Sequence, residues 1–425
     1  MKEKKIAILG LGYVGLPLAL QLSLSYSVVG YDVDNIRIKE LRKGIDKTLE
    51  VSEGLLKKQQ KNNLFFTTNS KDISNCNFYI ATVPTPIDIR KKPDFFALKK
   101  VCETIGKLLS PGDTVVFEST VYPGATEEIC GPILEKFSKN LKVGKDFFLG
   151  YSPERVNPGD KVHTIDKINK VVSGQTKKVE KDLLEIYSNL TSGDVYLAKS
   201  IKVAEASKVI ENAQRDINIA FINEVAKICT KINISSYDVL EASLTKWNFL
   251  NFEPGLVGGH CIGVDPYYLT YKSLQVGYNP KMILSGRTLN DNMPKLIFKD
   301  IKKIMSKKNI SIESAKILIL GLAFKENCND FRNTKVFDLA NQFINSGASI
   351  NIFDPWISKK NLNNKFKKKL ITKIPKHFYD CIIIAVSHNI FRKYSLKDLK
   401  NLCKNNHVIY DIKNLFKNFE VDGRL

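Results

Sequence analysis

The chain has 425 residues, 43% of them hydrophobic, which is material for more than one core, so two or three domains are expected. No run approaches the roughly 18 apolar residues of a membrane span, and Met1-Lys2-Glu3-Lys4-Lys5 enters an apolar strand without a signal-peptide core; a soluble, cytoplasmic protein is expected. The formal charge of +21 is diffuse, as at Lys302-Lys303 and Lys367-Lys368-Lys369, and no RNP, helix-turn-helix or zinc pattern accompanies it, so neither a nucleic-acid nor a membrane partner is expected.

In chain order, short apolar runs alternate with helical patterns: Ile6 to Leu9, a helix from Val14, then Val28 to Tyr31, Phe78 to Val83, Thr114 to Glu118 and Phe147 to Tyr151. This alternation predicts an α/β fold with a doubly wound parallel sheet. From Ile201 to Ile234 there is no Gly or Pro, and Val203, Val209, Ile210, Ile217, Phe221 and Val225 recur at helical spacing. The pattern predicts one long helix joining domains, and a partner subunit, over about 50 Å. The α/β rhythm restarts at Lys316 to Leu320, with a helix around Val336 to Ile344 and further strands at Ile350 to Phe353, Cys381 to Val386 and His407 to Asp411. The expected architecture is therefore two Rossmann-like doubly wound domains joined by a long central helix. Its parts are a first Rossmann-like domain over 1–200, a central helical domain with a cysteine loop over 201–300, and a smaller Rossmann-like domain over 301–425.

Gly10-Leu11-Gly12-Tyr13-Val14-Gly15 follows the first strand and opens a helix, which is the spacing that lets a pyrophosphate approach the backbone. Asp32 ends the second strand, where a carboxylate accepts from a ribose 2′-hydroxyl and repels a 2′-phosphate; NAD is expected over NADP. Arg37 lies just beyond and is included among the cofactor contacts. Val83-Pro84-Thr85-Pro86 and Ser119-Thr120-Val121 follow strands at the carboxyl edge of the sheet, where open α/β folds bind ligands. The equivalent turn of the second domain, Gly321-Leu322-Ala323-Phe324-Lys325, lacks the further glycines and suits a different ligand, with Lys325 and Arg332 fit for phosphate or for the solvent.

Gly258-Gly259-His260-Cys261-Ile262-Gly263-Val264-Asp265 sets a thiol in a glycine-rich turn with a carboxylate four residues on. A cysteine there can attack a carbonyl carbon, or serve simply as a buried core residue. The other seven cysteines show no CxxC pair and read as reduced core thiols. Lys208, Asn212 and Arg215 fall at i, i+4 and i+7 on the long helix, hence on one face.

The ordered series GxGxxG, Asp32, TVPTP, ESTV, SPE, AExxK, GGHCxxxD and GxAFK resembles the UDP-sugar 6-dehydrogenase family over essentially the whole chain. The resemblance implies a four-electron oxidation of a sugar C6 alcohol to a carboxylate, with two NAD reduced per turnover. Cys261 matches the nucleophile, Lys208 and Asp265 its polar catalytic partners and Glu154 the acid/base position; on that chemistry Lys208 and Asn212 can stabilise the oxyanion at C6, and Asp265, Glu154 and Thr120 can each orient or deprotonate the water that hydrolyses the thioester. It also implies that the second domain holds UDP, that Lys325 contacts the nucleotide sugar, that Arg332 reaches the cofactor, and that the long helix forms a homodimer. His260 and the stretch Ser152-Pro153-Glu154-Arg155-Val156-Asn157-Pro158-Gly159 depart from the glucose branch and resemble the N-acetylhexosamine branch. UDP-N-acetylglucosamine is the expected substrate, ahead of UDP-N-acetylgalactosamine, UDP-N-acetylmannosamine and UDP-glucose. Arg155, Arg215, Arg287, Gly258 and Gly259 join Glu154, Lys208, Asn212 and Lys325 as expected substrate contacts, and the product is expected to serve surface polysaccharide synthesis. A two-electron hydroxyacid dehydrogenase and a non-enzymatic nucleotide-binding protein are the alternatives.

Overall fold

The computed structural model describes residues 3–156, 160, 162–259, 261–417 and 420–425, with the backbone alone of Cys261 and Asn361. It forms two compact units, Met1–Glu211 with Tyr267–Asn279, and Asn212–Pro266 with Pro280–Leu425.

The first unit is built on β1 (Lys5–Leu9), β2 (Ser27–Tyr31), β3 (Leu64–Thr67), β4 (Phe78–Ala81), β5 (Thr114–Phe117), β6 (Phe148–Tyr151), β7 (Lys170–Gly174) and β8 (Val195–Leu197). Their order in the sheet is β3-β2-β1-β4-β5-β6-β7-β8. The run from β3 to β6 is parallel, β7 pairs antiparallel with β6, and β8 is parallel to β7. β1 is an almost unbroken apolar run because both its faces are covered: Ile6, Ala7, Ile8 and Leu9 are fully buried. The chain reverses strand order on either side of β1, which opens the crevice at its carboxyl end, and the glycine loop lies there.

In the second unit β9 (Lys316–Leu320), β10 (Ser349–Phe353), β11 (Tyr379–Ile384), β12 (Cys403–Asp411) and β13 (Gly423–Arg424) form a parallel sheet ordered β10-β9-β11-β12-β13. The helix Lys281–Lys307 places Met293, Ile297, Ile301 and Met305 on one stripe, four residues apart, against Ile317 and Ile319 of β9 and the helix Val336–Asn345. Each such side chain contributes about 1.5–3 kcal/mol on burial. The long helix runs over Ile201–Lys231 and stops just before Asn233, which adopts φ +59. A left-handed Asn ends a helix with little strain, and the Ser235 hydroxyl then caps the next helix, Ser236–Leu244, by accepting from the Asp238 N–H.

Candidate active site

The glycine loop is shaped by contacts beneath it. Gly10 takes φ +101 and its N–H donates to the Tyr31 carbonyl at 2.9 Å. Thr82 Oγ1 donates to the Gly10 carbonyl at 2.7 Å, and a β-carbon on Gly15 would stand 1.8 Å from that same carbonyl oxygen. Gly15 therefore admits no side chain. Gly12 is different: a β-carbon there meets no protein atom within 4 Å, so the hydrogen clears space outside the fold. The helix Gly15–Leu22 begins beside that space without a side-chain cap from Val14, and its first N–H groups suit an anion. The residues present fit a dinucleotide. Tyr13 and Val14 are partly exposed at this turn.

Asp32 has two duties. Its Oδ2 accepts from the Leu11 N–H at 2.7 Å and its Oδ1 from the Asp34 N–H at 2.9 Å, which fixes the carboxylate at the end of β2. Arg37, expected at the cofactor, is buried instead under the loop. Its Nε donates to the Leu11 carbonyl at 2.9 Å and its guanidinium pairs with Asp46 at 2.9 Å. The residue braces the turn from below.

The two segments at the carboxyl ends of β4 and β5 are stitched to each other. Thr85 Oγ1 donates to the Thr120 carbonyl at 2.7 Å and Ser119 Oγ to the Val83 carbonyl at 2.6 Å. Pro84 remains exposed and Thr120 half-buried, while Tyr268 OH donates to the Thr85 carbonyl at 2.7 Å. Just past this stitch, the buried Glu205 accepts the N–H groups of Gly124 at 2.5 Å and Thr126 at 2.8 Å. The glutamate of the AExxK string thus ties the segment after Thr120 to the long helix.

Glu154 lies in a buried ionic cluster. Its Oε1 accepts the N–H groups of Arg155 at 2.6 Å and Val156 at 2.5 Å, while its Oε2 lies 3.2 Å from Lys170 Nζ. Burial opposes ionisation of Glu154, but Lys170, the Val156 N–H, Glu118 and the nearby Lys208 outweigh it and hold the pKa below its ordinary value. Lys208 is itself buried, and the side chain of Arg155 pairs with Glu211 at 3.2 Å. Asn157, Pro158 and Gly159 lie outside the described residues.

In the second unit Asn212 and Asp265 are both fully buried, and Asn212 Nδ2 donates to Asp265 Oδ2 at 2.5 Å. Arg215 donates to Asn212 Oδ1, so the amide orientation is fixed from both sides. One N–H of Asn212 goes to Asp265, and a second is left to donate. Arg287, expected to read the substrate, is only 2% exposed and is held between Asp216 at 2.5 Å and Asp291 at 2.6 Å. Cys261 opens the helix Cys261–Gln275; its side chain, with all of His260, lies outside what is described.

Gly258 and Gly259 are small for the protein's own sake. A β-carbon on Gly258 would stand 2.9 Å from the Asn333 carbonyl, and one on Gly259, where φ is +81, 2.7 Å from the Phe324 ring. The cysteine loop therefore packs on the segment after β9. A cavity of about 130 Å³ there has Gly258, Phe324 and Thr334 in its lining, with three lysines, Lys325, Lys335 and Lys413, against one carboxylate, Glu326. The turn above β9 is held as its counterpart above β1 is: Asp354 Oδ2, beyond β10, accepts the N–H groups of Leu322 at 2.6 Å and Ala323 at 2.9 Å. His388 Nε2 lies 3.1 Å from the same oxygen, and its Nδ1 accepts the Asn327 N–H at 2.9 Å. Arg332 is exposed and forms a fork on Asp330 at 2.6–3.0 Å. Among the described residues no cluster of His, Cys, Asp and Glu is suited to a metal ion.

Residues 4–191 match the NAD binding domain of the UDP-glucose/GDP-mannose dehydrogenase family, 202–292 its central domain and 318–418 its UDP binding domain. The chain belongs to this family. The dehydrogenase is 50% identical to UDP-N-acetyl-D-glucosamine 6-dehydrogenase of Pseudomonas aeruginosa, with 100% of both chains covered. It is 48% identical to the Salmonella typhi protein of the same name, covering 100% of this chain and 99% of the other. Among solved structures, the UDP-D-ManNAc dehydrogenase of Pyrococcus horikoshii matches at 28% identity with a TM-score of 0.89, covering 99% of this chain and 98% of that one. The expected NAD-dependent oxidoreductase with Rossmann-like domains is what these matches bear out, and a UDP-sugar is its substrate class. The non-enzymatic alternative falls with them.

Asp354, Glu118, Lys170 and His388 were given no role by the motifs. Asp354 had a signal, since Phe353-Asp354 repeats the strand ending of Tyr31-Asp32. Glu118 sits within the ESTV string, yet nothing local marks its ionic partner Lys170, 52 residues away. His388 has no local signal either.

Proposed function

We propose that the dehydrogenase oxidises the C6 hydroxyl of UDP-N-acetylglucosamine to the carboxylate, as a building block for surface polysaccharide. The observation that carries this reading is the full-length identity of 50% and 48% to two proteins bearing that activity in their names. The overall change adds one water to the alcohol and removes two hydrides and three protons. NAD, when bound, supplies the hydride acceptor at each oxidation, and Gly10, Gly12, Tyr13, Val14, Gly15, Asp32, Val83, Pro84, Thr85, Ser119 and Thr120 are the residues offered to hold it, with Arg37 as a brace.

Cys261 is assigned the nucleophile. Its sulfur adds to the C6 aldehyde, and after the second oxidation the resulting thioester gives up its C–S bond to water, returning Cys261 as thiolate. Lys208 and the second N–H of Asn212 stabilise the oxygen that becomes negative in these additions, while Asp265 keeps Asn212 aimed. Glu154 takes the proton of the attacking water, and Thr120 orients it. Lys325, Gly258 and the cationic cavity beside them suit the phosphates of UDP. Arg155 and Arg215 are kept as substrate contacts; Arg332 is kept as a cofactor contact.

We retain the division into domains 1–200, 201–300 and 301–425 and propose a cytoplasmic homodimer. Val203, Ile210, Phe221 and Ile228 of the long helix are each about half exposed and fall near whole numbers of turns apart, an apolar stripe suited to a second copy. The test of the activity is to supply the four UDP-sugars separately and count NADH. Two NADH per sugar with fastest turnover of UDP-N-acetylglucosamine supports the reading. One NADH per sugar would restore the two-electron alternative, and faster turnover of UDP-glucose would overturn the hexosamine assignment.

A further inference from the structure

Behind Glu154, on the side away from its backbone donors, lie two groups to which the reaction as proposed gives no task. Lys170 of β7 is completely buried, with Nζ 3.2 Å from Glu154 Oε2 and 3.2 Å from Glu118 Oε2. Its third direction is filled by the Tyr187 ring, whose centroid is 5.5 Å from Nζ. Glu118 follows β5, and its other oxygen accepts the Tyr187 hydroxyl. The groups that face Glu154 are thus Lys170, Glu118 and Lys208, with Tyr187 behind and Arg155 turned to Glu211.

Around Lys170 itself two carboxyls share one ammonium, a net negative charge if both acids ionise, which burial penalises; Lys208 acts on Glu154 and so further favours charge on that acid. One proton makes the trio neutral. Its placement follows from the donors: Glu154 Oε1 receives two backbone N–H groups, at 2.6 and 2.5 Å, which favour charge on Glu154. Burial foremost, with Lys170 opposing it and Glu154 adding to it, pushes the Glu118 pKa up to about 7.

Resting on the reading of Glu154 as the base, we propose that Lys170 is its positioning residue, holding Glu154 as a carboxylate while Glu118 carries the proton of the trio. A carboxylate so held can accept a proton from water below neutral pH, where an unpaired buried glutamate would already be protonated. The trio is more than a brace, since a buried ion pair is by itself a poor source of stability.

The experiment measures kcat against pH from 5.5 to 9.5, with the NAD KM, in the intact enzyme and in Lys170→Met, Lys170→Arg, Glu118→Gln and Glu154→Gln. Lys170→Met is expected to move the acid limb up by at least one pH unit, so that its loss of rate is roughly tenfold greater at pH 6 than at pH 9. Lys170→Arg should restore the original limb. Glu118→Gln, whose amide mimics the protonated acid, should leave the limb at or below its original pH, and the NAD KM should stay within about twofold throughout. An equal loss at all pH values in Lys170→Met, or an upward limb in Glu118→Gln, overturns the proposal. Should Lys170→Met fail to fold, Lys170→Arg and Glu118→Gln carry the test. If Glu154→Gln keeps both rate and acid limb, the base assignment itself fails, a result distinct from the others.

Discussion

Gly12→Ala separates what the glycine loop needs for folding from what it needs for its ligand. A β-carbon at Gly12 meets no protein atom within 4 Å, and the position is outside the left-handed region, so the variant strains nothing in the free protein. Removing a glycine from the unfolded chain should even add about 0.4–1 kcal/mol of stability. The same methyl group occupies the face where a pyrophosphate must approach the backbone. Overpacking of this kind costs about 1–3 kcal/mol, a roughly 5- to 150-fold rise in the NAD KM. Gly15→Ala is the contrast, since its β-carbon would lie 1.8 Å from the Gly10 carbonyl oxygen and 2.4 Å from Thr82 Oγ1. That variant should lose stability and NAD binding together. Urea unfolding of the free enzymes, set beside NAD titrations, tests both. An unchanged NAD KM in Gly12→Ala, or destabilisation equal to that of Gly15→Ala, would refute the assignment of the open space to the cofactor.

Asp32→Asn removes the charge-assisted acceptor at the end of β2 and should raise the NAD KM roughly 10- to 150-fold while improving relative use of NADP, measured as the ratio of kcat/KM values. Asp46 is buried, which opposes ionisation, yet the hydroxyl and N–H of Thr48, Arg37 and the Val51 N–H together hold its pKa below 3.8. A depressed carboxylate contributes stability that is present above 3.8 and lost as pH falls through the folded value. Asp46→Asn should therefore unfold at lower urea than the parent at pH 7, with the gap narrowing towards pH 2; a gap constant with pH would exclude the linkage. Arg287→Met leaves Asp216 buried without its cation and should cost about 3–5 kcal/mol in urea unfolding, with the ranking of the UDP-sugars unchanged. A reversal of that ranking would return Arg287 to the substrate.

The strands of both sheets that carry the glycine turns were legible because their signals are local. Apolar runs such as Ile6 to Leu9, followed at once by Gly10 and Gly12, encode strand, turn and helix start within a few residues. Three strands of the first sheet had weaker signals: β3 is a short aromatic run, β7 contains the buried Lys170, and β8 has only three residues. A lysine inside a strand reads as exposure until its carboxylate partners are known. The antiparallel pairing of β6 with β7 was likewise not predictable from the regular alternation that precedes it.

The site divides along the same line. Sequence by itself determined the glycine turn after β1, the acidic end of β2 and the shared helix face of Lys208, Asn212 and Arg215, since spacing along one element fixes them. Tertiary structure decided which charges are already engaged. Arg37 braces the loop through Asp46, Arg287 answers Asp216 from 71 residues away, and Gly258 and Gly259 make room for Asn333 and Phe324. Lys170 meets Glu118 across 52 residues. Helical and strand periods carry no record of such pairings, because an ionic contact depends on where two distant segments come to lie, and only the folded chain supplies that distance.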